Sequence, residues 1–187
     1  MKHIATMALM LNLGVAGVYA QQRPVKLTFS GSMVATSLNL QPNTVTDEEH
    51  LAGNGTLGSF TFRKLRTDGR SPLPSSTCVG ADHLNFPVVA GGGVFRFQDG
   101  SLLTVLITGG DLCIDFTAVL GHLTETYRIT GGTGRFKGAS GMLTLTETLM
   151  PVLADASQNP VCRAATGGFT GTVSGVHIGE EGQDERQ

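Results

Sequence analysis

The chain has 187 residues, 26 of them glycine, with 15% charged residues, 40% hydrophobic residues and no tryptophan. Its 13 Lys and Arg against 15 Asp and Glu give a formal charge of −2, which excludes the basic footprint of a nucleic-acid binder. The apolar fraction excludes wholesale disorder, and the length and glycine excess point to one all-β domain, read here over residues 21–178.

Residues 1–20 read as a secretory signal peptide. Lys2 and His3 make a short positive start, Ile4 to Val18 carries no charge, and Val18-Tyr19-Ala20 fits a small-residue cleavage site. Cleavage is expected after Ala20. The alternative, a membrane anchor, needs about 20 apolar residues, more than this run supplies. The expected location is therefore secreted or periplasmic, with no stable membrane insertion after cleavage.

From Val25 the chain reads in twos. Leu27, Phe29 and Met33 share one parity and Lys26, Thr28, Ser30 and Ser32 the other, which predicts a half-buried strand. Leu40 to Gly53 reads as a loop. Gly55 to Leu65 reads as a strand with Phe60 and Phe62 on one face and Thr61 and Arg63 on the other. Arg66 to Thr77, with Asp68-Gly69, Pro72 and Pro74, reads as a second loop.

Val94 to Phe97 runs through Asp99-Gly100, a hairpin signal, into Leu102–Thr108. Arg96 has the parity opposite to Phe95 and Phe97 and is expected to point outward. Leu102 to Ile107 is apolar on both parities except Thr104, which predicts burial on both faces at a subunit contact. Leu112–Val119, Leu123–Thr130, Gly141–Leu149 and Gly168–Ile178 bring the count to eight strands. Met150 to Thr166 reads as a third loop, and a short helix fits within Leu149–Ala165. Residues 179–187, with Glu180, Glu181, Asp184 and Glu185, read as a solvated, disordered tail. Short strands separated by Gly-rich turns imply a sandwich or a closed barrel.

Export permits disulfides. Cys78, Cys113 and Cys162 allow one bridge in three pairings, and Cys78–Cys113 is preferred because both flank the same central hairpin. The five histidines show no ligand spacing, so neither a metal nor a cofactor is expected. Asn54-Gly55-Thr56 is a glycosylation sequon, relevant in a eukaryotic secretory host.

The most distinctive run is Tyr127-Arg128-Ile129-Thr130-Gly131-Gly132-Thr133-Gly134-Arg135-Phe136-Lys137-Gly138-Ala139-Ser140-Gly141. It lacks the Gly-Lys-Ser/Thr ending of a Walker loop and joins strand to strand, whereas a phosphate cradle uses the start of a helix. Gly131, Gly132 and Gly134 would allow positive φ in a tight turn, Phe136 would fold back on the barrel, and Gly138 would let the next strand start close to its neighbour.

This run resembles the allene oxide cyclase and dirigent protein superfamily, matching at Tyr127, Ile129, Thr130, Gly131, Gly132, Thr133, Gly134, Phe136, Gly138 and Gly141. The Phe97-Gln98-Asp99-Gly100-Ser101 hairpin looks like secreted bacterial members of that group. The resemblance implies an eight-stranded antiparallel, calycin-like β-barrel with an apolar central cavity, often assembled as a homo-trimer. The plant members cyclise a fatty-acid epoxide or steer phenoxy-radical coupling. Residues 25–38, where the cyclases carry an early-strand carboxylate, hold no Asp or Glu.

Leu27, Phe29, Phe60, Phe62, Phe95 and Phe97 are the expected cavity lining. Glu125, Glu147 and Tyr127 are the candidate catalytic groups. Glu147 shares parity with Leu143 and Leu145, so an inward face would make it a desolvated general acid. The other reading, favoured here, leaves it in water at the strand's end. Asp115 is expected to partner Arg128, and His83 is a candidate pocket hydrogen-bonder. Three functions follow in order: a barrel binding a small apolar ligand, a cyclase/isomerase or dirigent-like enzyme, and a structural barrel filled with side chains.

Overall fold

In the computed structural model, which describes residues 21–38, 40–157 and 159–177, eight strands follow one another. They are β1 (Arg23–Ala35), β2 (Thr44–Gly55), β3 (Phe60–Gly69), β4 (His83–Phe97), β5 (Leu102–Asp115), β6 (Leu120–Gly132), β7 (Ser140–Ala154) and β8 (Pro160–Ser174). Each pairs antiparallel with its successor, and β8 pairs with β1 to close the barrel. A 3-10 turn, Gly134–Phe136, is the one helical element among the described residues. The expected signal peptide and acidic tail lie outside the described residues.

Strand alternation sets what the barrel contains. On β1, Val25, Leu27, Phe29 and Met33 are buried while Lys26, Thr28 and Ser30 face water. On β3 the inward parity carries Phe60 and Phe62, then Lys64, Arg66 and Asp68. Phe62 lies opposite Phe95, and Lys64 opposite Gly93. Gly93 is required there: a Cβ would meet the Phe62 ring at 2.5 Å.

Several element assignments differ from the sequence reading. Residues 40–53 are not a loop, because β2 begins at Thr44; Asp47 and Glu49 sit at inward positions of that strand and break its apolar alternation. Arg66 to Gly69 completes β3, so the second loop begins at Arg70. The two strands read over 102–119 are one strand, β5, with a register shift between Ile107 and Gly109 that the sequence presents as a turn. No helix occupies the described residues of 149–165; β7 runs to Ala154 and β8 starts at Pro160. Leu103, Val105 and Ile107 are buried inside the barrel, and Leu106, on the outward face, is 44% exposed in this single chain. Arg96 points outward, as its parity requires.

The glycine run closes one end of the barrel. Gly131, Gly134 and Gly138 take positive φ; Gly132 does not and serves close approach to β5. Phe136 is fully buried, its ring 4.7 Å from that of Phe97. Arg135 lies over both rings, donates to the Leu57 carbonyl at 2.6 Å and pairs with Asp99 at 3.1 Å. Among the described residues, the opposite end, where β2, β4, β6 and β8 begin, holds cavities.

Candidate functional site: a charged layer beneath an open mouth

The interior has two halves. Next to the closed end, aromatic rings fill it. Phe62 stacks on Phe95 at 4.1 Å, and Phe60 lies 5.4 Å from Phe95. Phe169, on β8, sits at the hub, 5.3 Å from Phe29 and 5.0 Å from Phe95. Inside the barrel Leu27, Phe29, Phe60, Phe62, Phe95 and Phe97 are packed, and Phe60 and Phe97 also border a pocket of about 310 Å³ with Ser59, Thr61, Arg96 and Gln98. The six pack on one another and occupy the space, because eight strands enclose little more than their own inward side chains.

Toward the opposite end the lining changes to charge. Register places Glu49 opposite Lys64 and Asp47 opposite Arg66. Lys64 lies 3.0 Å from Glu49, 2.5 Å from Glu125 and 3.9 Å from Glu147. The Arg66 guanidinium donates to Asp47 at 3.0 Å, Glu49 at 3.2 Å and Asp68 at 3.0 Å, and a further N–H points at the Met33 sulfur. Tyr127 donates a short hydrogen bond to Glu125. All these side chains are buried. Glu125 and Tyr127 are thus brought together as neighbours, and Glu147 joins them. The expectation that Glu147 sits in water is corrected: β7 continues five residues past Leu149, so Glu147 lies within the barrel and not at a strand end.

Burial decides the protonation of this layer, since a charge in a low-dielectric interior is costly unless paired. Glu147 is pushed up to about 8, by desolvation first and the charge of Glu49 second. Asp68 is raised to about 6 by burial, against the opposing pull of Arg66. Glu49 is raised, also by burial. Burial alone would lower Lys64, but Glu125, Glu49 and Glu147 outweigh it and hold the ammonium charged. Burial and then Glu125 push the Tyr127 phenol well above its ordinary value.

The sign of the pH dependence follows. A carboxyl whose folded-state pKa is raised binds its proton more tightly when folded, so its ionisation costs stability as pH rises. For Glu147 that loss runs between the ordinary value of 4.5 and about 8, and for Asp68 between 3.8 and about 6. Urea midpoints are expected to be lower at pH 8.5 than at pH 5. Glu147→Gln should remove most of the part of that decline lying above pH 6; an unchanged slope in the variant would show that Glu147 is ionised in the folded protein.

Above the charged layer lies the mouth. A cavity of about 310 Å³ is bounded by Ile114, Phe116, Leu120 and Leu149, and one of about 240 Å³ by Ala35, Phe86, Asp47 and Asp68. The two share Leu112, Ile114, Pro160 and Arg163. The rim is apolar: Phe116 is 54% exposed, and Val119 holds a left-handed φ of 53° in the β5–β6 turn, a strained conformation for a β-branched residue. Arg163, on β8, stands between mouth and charged layer and feels the charges of Asp47 and Asp68.

Cys78 and Cys113 are bridged, with Cα atoms 5.4 Å apart, and Cys162 is free and half-buried. The bridge ties the β3–β4 connection to β5 beside Leu112 and Ile114. It fits an oxidising compartment. Among the described residues no helix is long and apolar enough to cross a membrane. Ligand atoms of Cys78, His83 and Cys113 lie within 4.8 Å of one another, but in the bridged form neither sulfur is a thiolate and the group offers one imidazole. Asp115 does not reach Arg128; it pairs with His83 at 3.2 Å and caps the Thr117 and Ala118 amides. His83 is thereby a mouth-side partner of Asp115, which borders the larger cavity.

The sequence reading missed Asp47, Glu49, Lys64, Arg66, Asp68 and Arg163. The signal was present for β3, where the Phe60–Phe62 parity continues to Lys64, Arg66 and Asp68.

No family model matches the chain, and no curated protein matches it. Among solved structures it is similar to the pterocarpan synthase dirigent protein GePTS1, at 12% identity over 84% of this chain and 88% of that one, with a TM-score of 0.41. The closed eight-stranded antiparallel barrel itself is the architecture that the glycine-run resemblance implied.

Proposed function

We propose that the protein is a secreted or periplasmic barrel that binds a small, largely apolar molecule in its open mouth, with the polar end of that molecule toward the buried charged layer. One observation carries this reading: two adjoining cavities share apolar walls at Leu112, Ile114 and Pro160, and Asp47 and Asp68 border the smaller one. Their combined size falls in the range that small-molecule sites occupy, and apolar walls with a few convergent polar groups are the usual composition of such sites. The filled aromatic half supports binding at the mouth over binding at the barrel centre.

Binding of the neutral apolar dye Nile red tests it. The wild type should bind the dye and brighten it. Ile114→Glu, which puts a charge into the shared wall, should weaken binding at least 10-fold, on the order of the cost of an unpaired charge in an apolar site. Equal binding by both proteins would move the dye elsewhere and end the reading.

Acid–base turnover of the bound molecule is the second reading. It is favoured by Glu147, a carboxyl held protonated up to about 8, two residues from Leu149 in the cavity wall. A general acid near neutrality is what proton transfer to a substrate needs. Turnover of this kind would be lost in Glu147→Gln while Nile red still bound.

A further inference from the structure

Five carboxylates, Asp47, Glu49, Asp68, Glu125 and Glu147, share the interior with three cations, Lys64, Arg66 and Arg163. With Glu147 protonated up to about 8, the remaining four carboxylates exceed the three cations by one negative charge at pH 7.5. The deficit of donors is local as well as global. Asp47 gives Oδ2 to Arg66, and so does Asp68; Oδ1 of each is buried and has no hydrogen-bond partner among the described residues. Both residues border the smaller mouth cavity. Buried polar atoms without partners are uncommon and each calls for a physical account; at Asp47 and Asp68 the neighbouring cavity offers one.

We infer that the mouth selects molecules carrying a primary amine at the end of an apolar body, the ammonium seated between Asp47 and Asp68. The inference rests on the mouth-binding reading and names the chemistry of its polar end. A primary ammonium offers three N–H donors on one atom and no acceptor, so it can serve two carboxylate oxygens and reduce the charge excess at once. Charge-assisted hydrogen bonds of this kind are the stronger class. An alcohol offers one donor and no charge. A carboxylate would pair with Arg163 but would face two aspartates that already lack donors. The apolar walls at Leu112, Ile114 and Phe86 then cover the hydrocarbon part.

Three probes of one length separate the cases: octylamine, 1-octanol and octanoate, each titrated calorimetrically into the wild-type protein at pH 7.5. Octylamine should bind at least 10-fold more tightly than octanol, with octanoate weakest. Asp68→Asn, which keeps the side-chain shape and removes its charge, should reduce the amine-to-alcohol affinity ratio several-fold. If octanol binds as tightly as octylamine, the mouth remains a binding site and the amine inference is overturned. Octanoate binding most tightly overturns it in favour of Arg163. If none of the three binds, the mouth reading fails and this inference with it.

Discussion

Replacing Arg66 with methionine is expected to cost about 3–5 kcal/mol of folding stability at pH 7, the range found when one partner of a buried ion network is removed. Arg66 is fully buried and is the shared donor to Asp47, Glu49 and Asp68. Methionine replaces much of the stem and none of the charge, so three carboxylates lose their common partner inside a low dielectric. They must then take up protons or water. The deficit should therefore shrink at pH 5, where Asp68, raised to about 6, is protonated, as is Glu147. Urea unfolding at the two pH values measures both effects. A loss under 1 kcal/mol, or one of equal size at both pH values, would mean that the guanidinium is not what neutralises the layer.

Opening the bridge has a comparable effect by a different route. Cys78 and Cys113 lie 35 residues apart, and closing a loop of that length removes about 4 kcal/mol worth of unfolded-chain entropy in the chain-entropy account. The Cys78→Ser, Cys113→Ser double variant should lose about that much, and reductant should bring the wild type down to the same midpoint without altering the variant. The loss also frees residues 70–82, which close over β4 and β5 beside the mouth, so Nile red affinity should fall with it. Unchanged stability in both cases would assign the bridge to the loop alone.

The all-β class and the barrel were legible because β1, β6 and β7 alternate cleanly and the run after Tyr127 has a distinctive glycine spacing; the count of eight was reached only because β5 was split in two while β2 was read as a loop. The bridge was legible among three pairings. The strand boundaries were not, and the reason is physical. A strand is recognised by apolar residues at every second position, and this barrel spends those positions on charge. Asp47 and Glu49 hide β2; Arg66 and Asp68 cut β3 short. Most of the inward charges satisfy each other across strands, as Glu49 does with Lys64 and Asp47 with Arg66, and such pairing is invisible along one strand. Gly109-Gly110 split β5 for the opposite reason: a bulge carries the same residues as a turn. The six residues expected to line a cavity were correctly read as inward, but inwardness does not distinguish lining from filling. That depends on the volume of Phe169, which enters from the far side of the closed sheet.

Native mass spectrometry of the protein recovered from a secreting host tests the mouth most directly, because it weighs the barrel together with whatever it holds. The account predicts a 1:1 complex with a small molecule, either carried through purification or formed on adding octylamine, and its absence in Ile114→Glu. A spectrum of bare protein that stays bare when octylamine and octanol are added would contradict it, and would make the charged layer a feature of the fold alone.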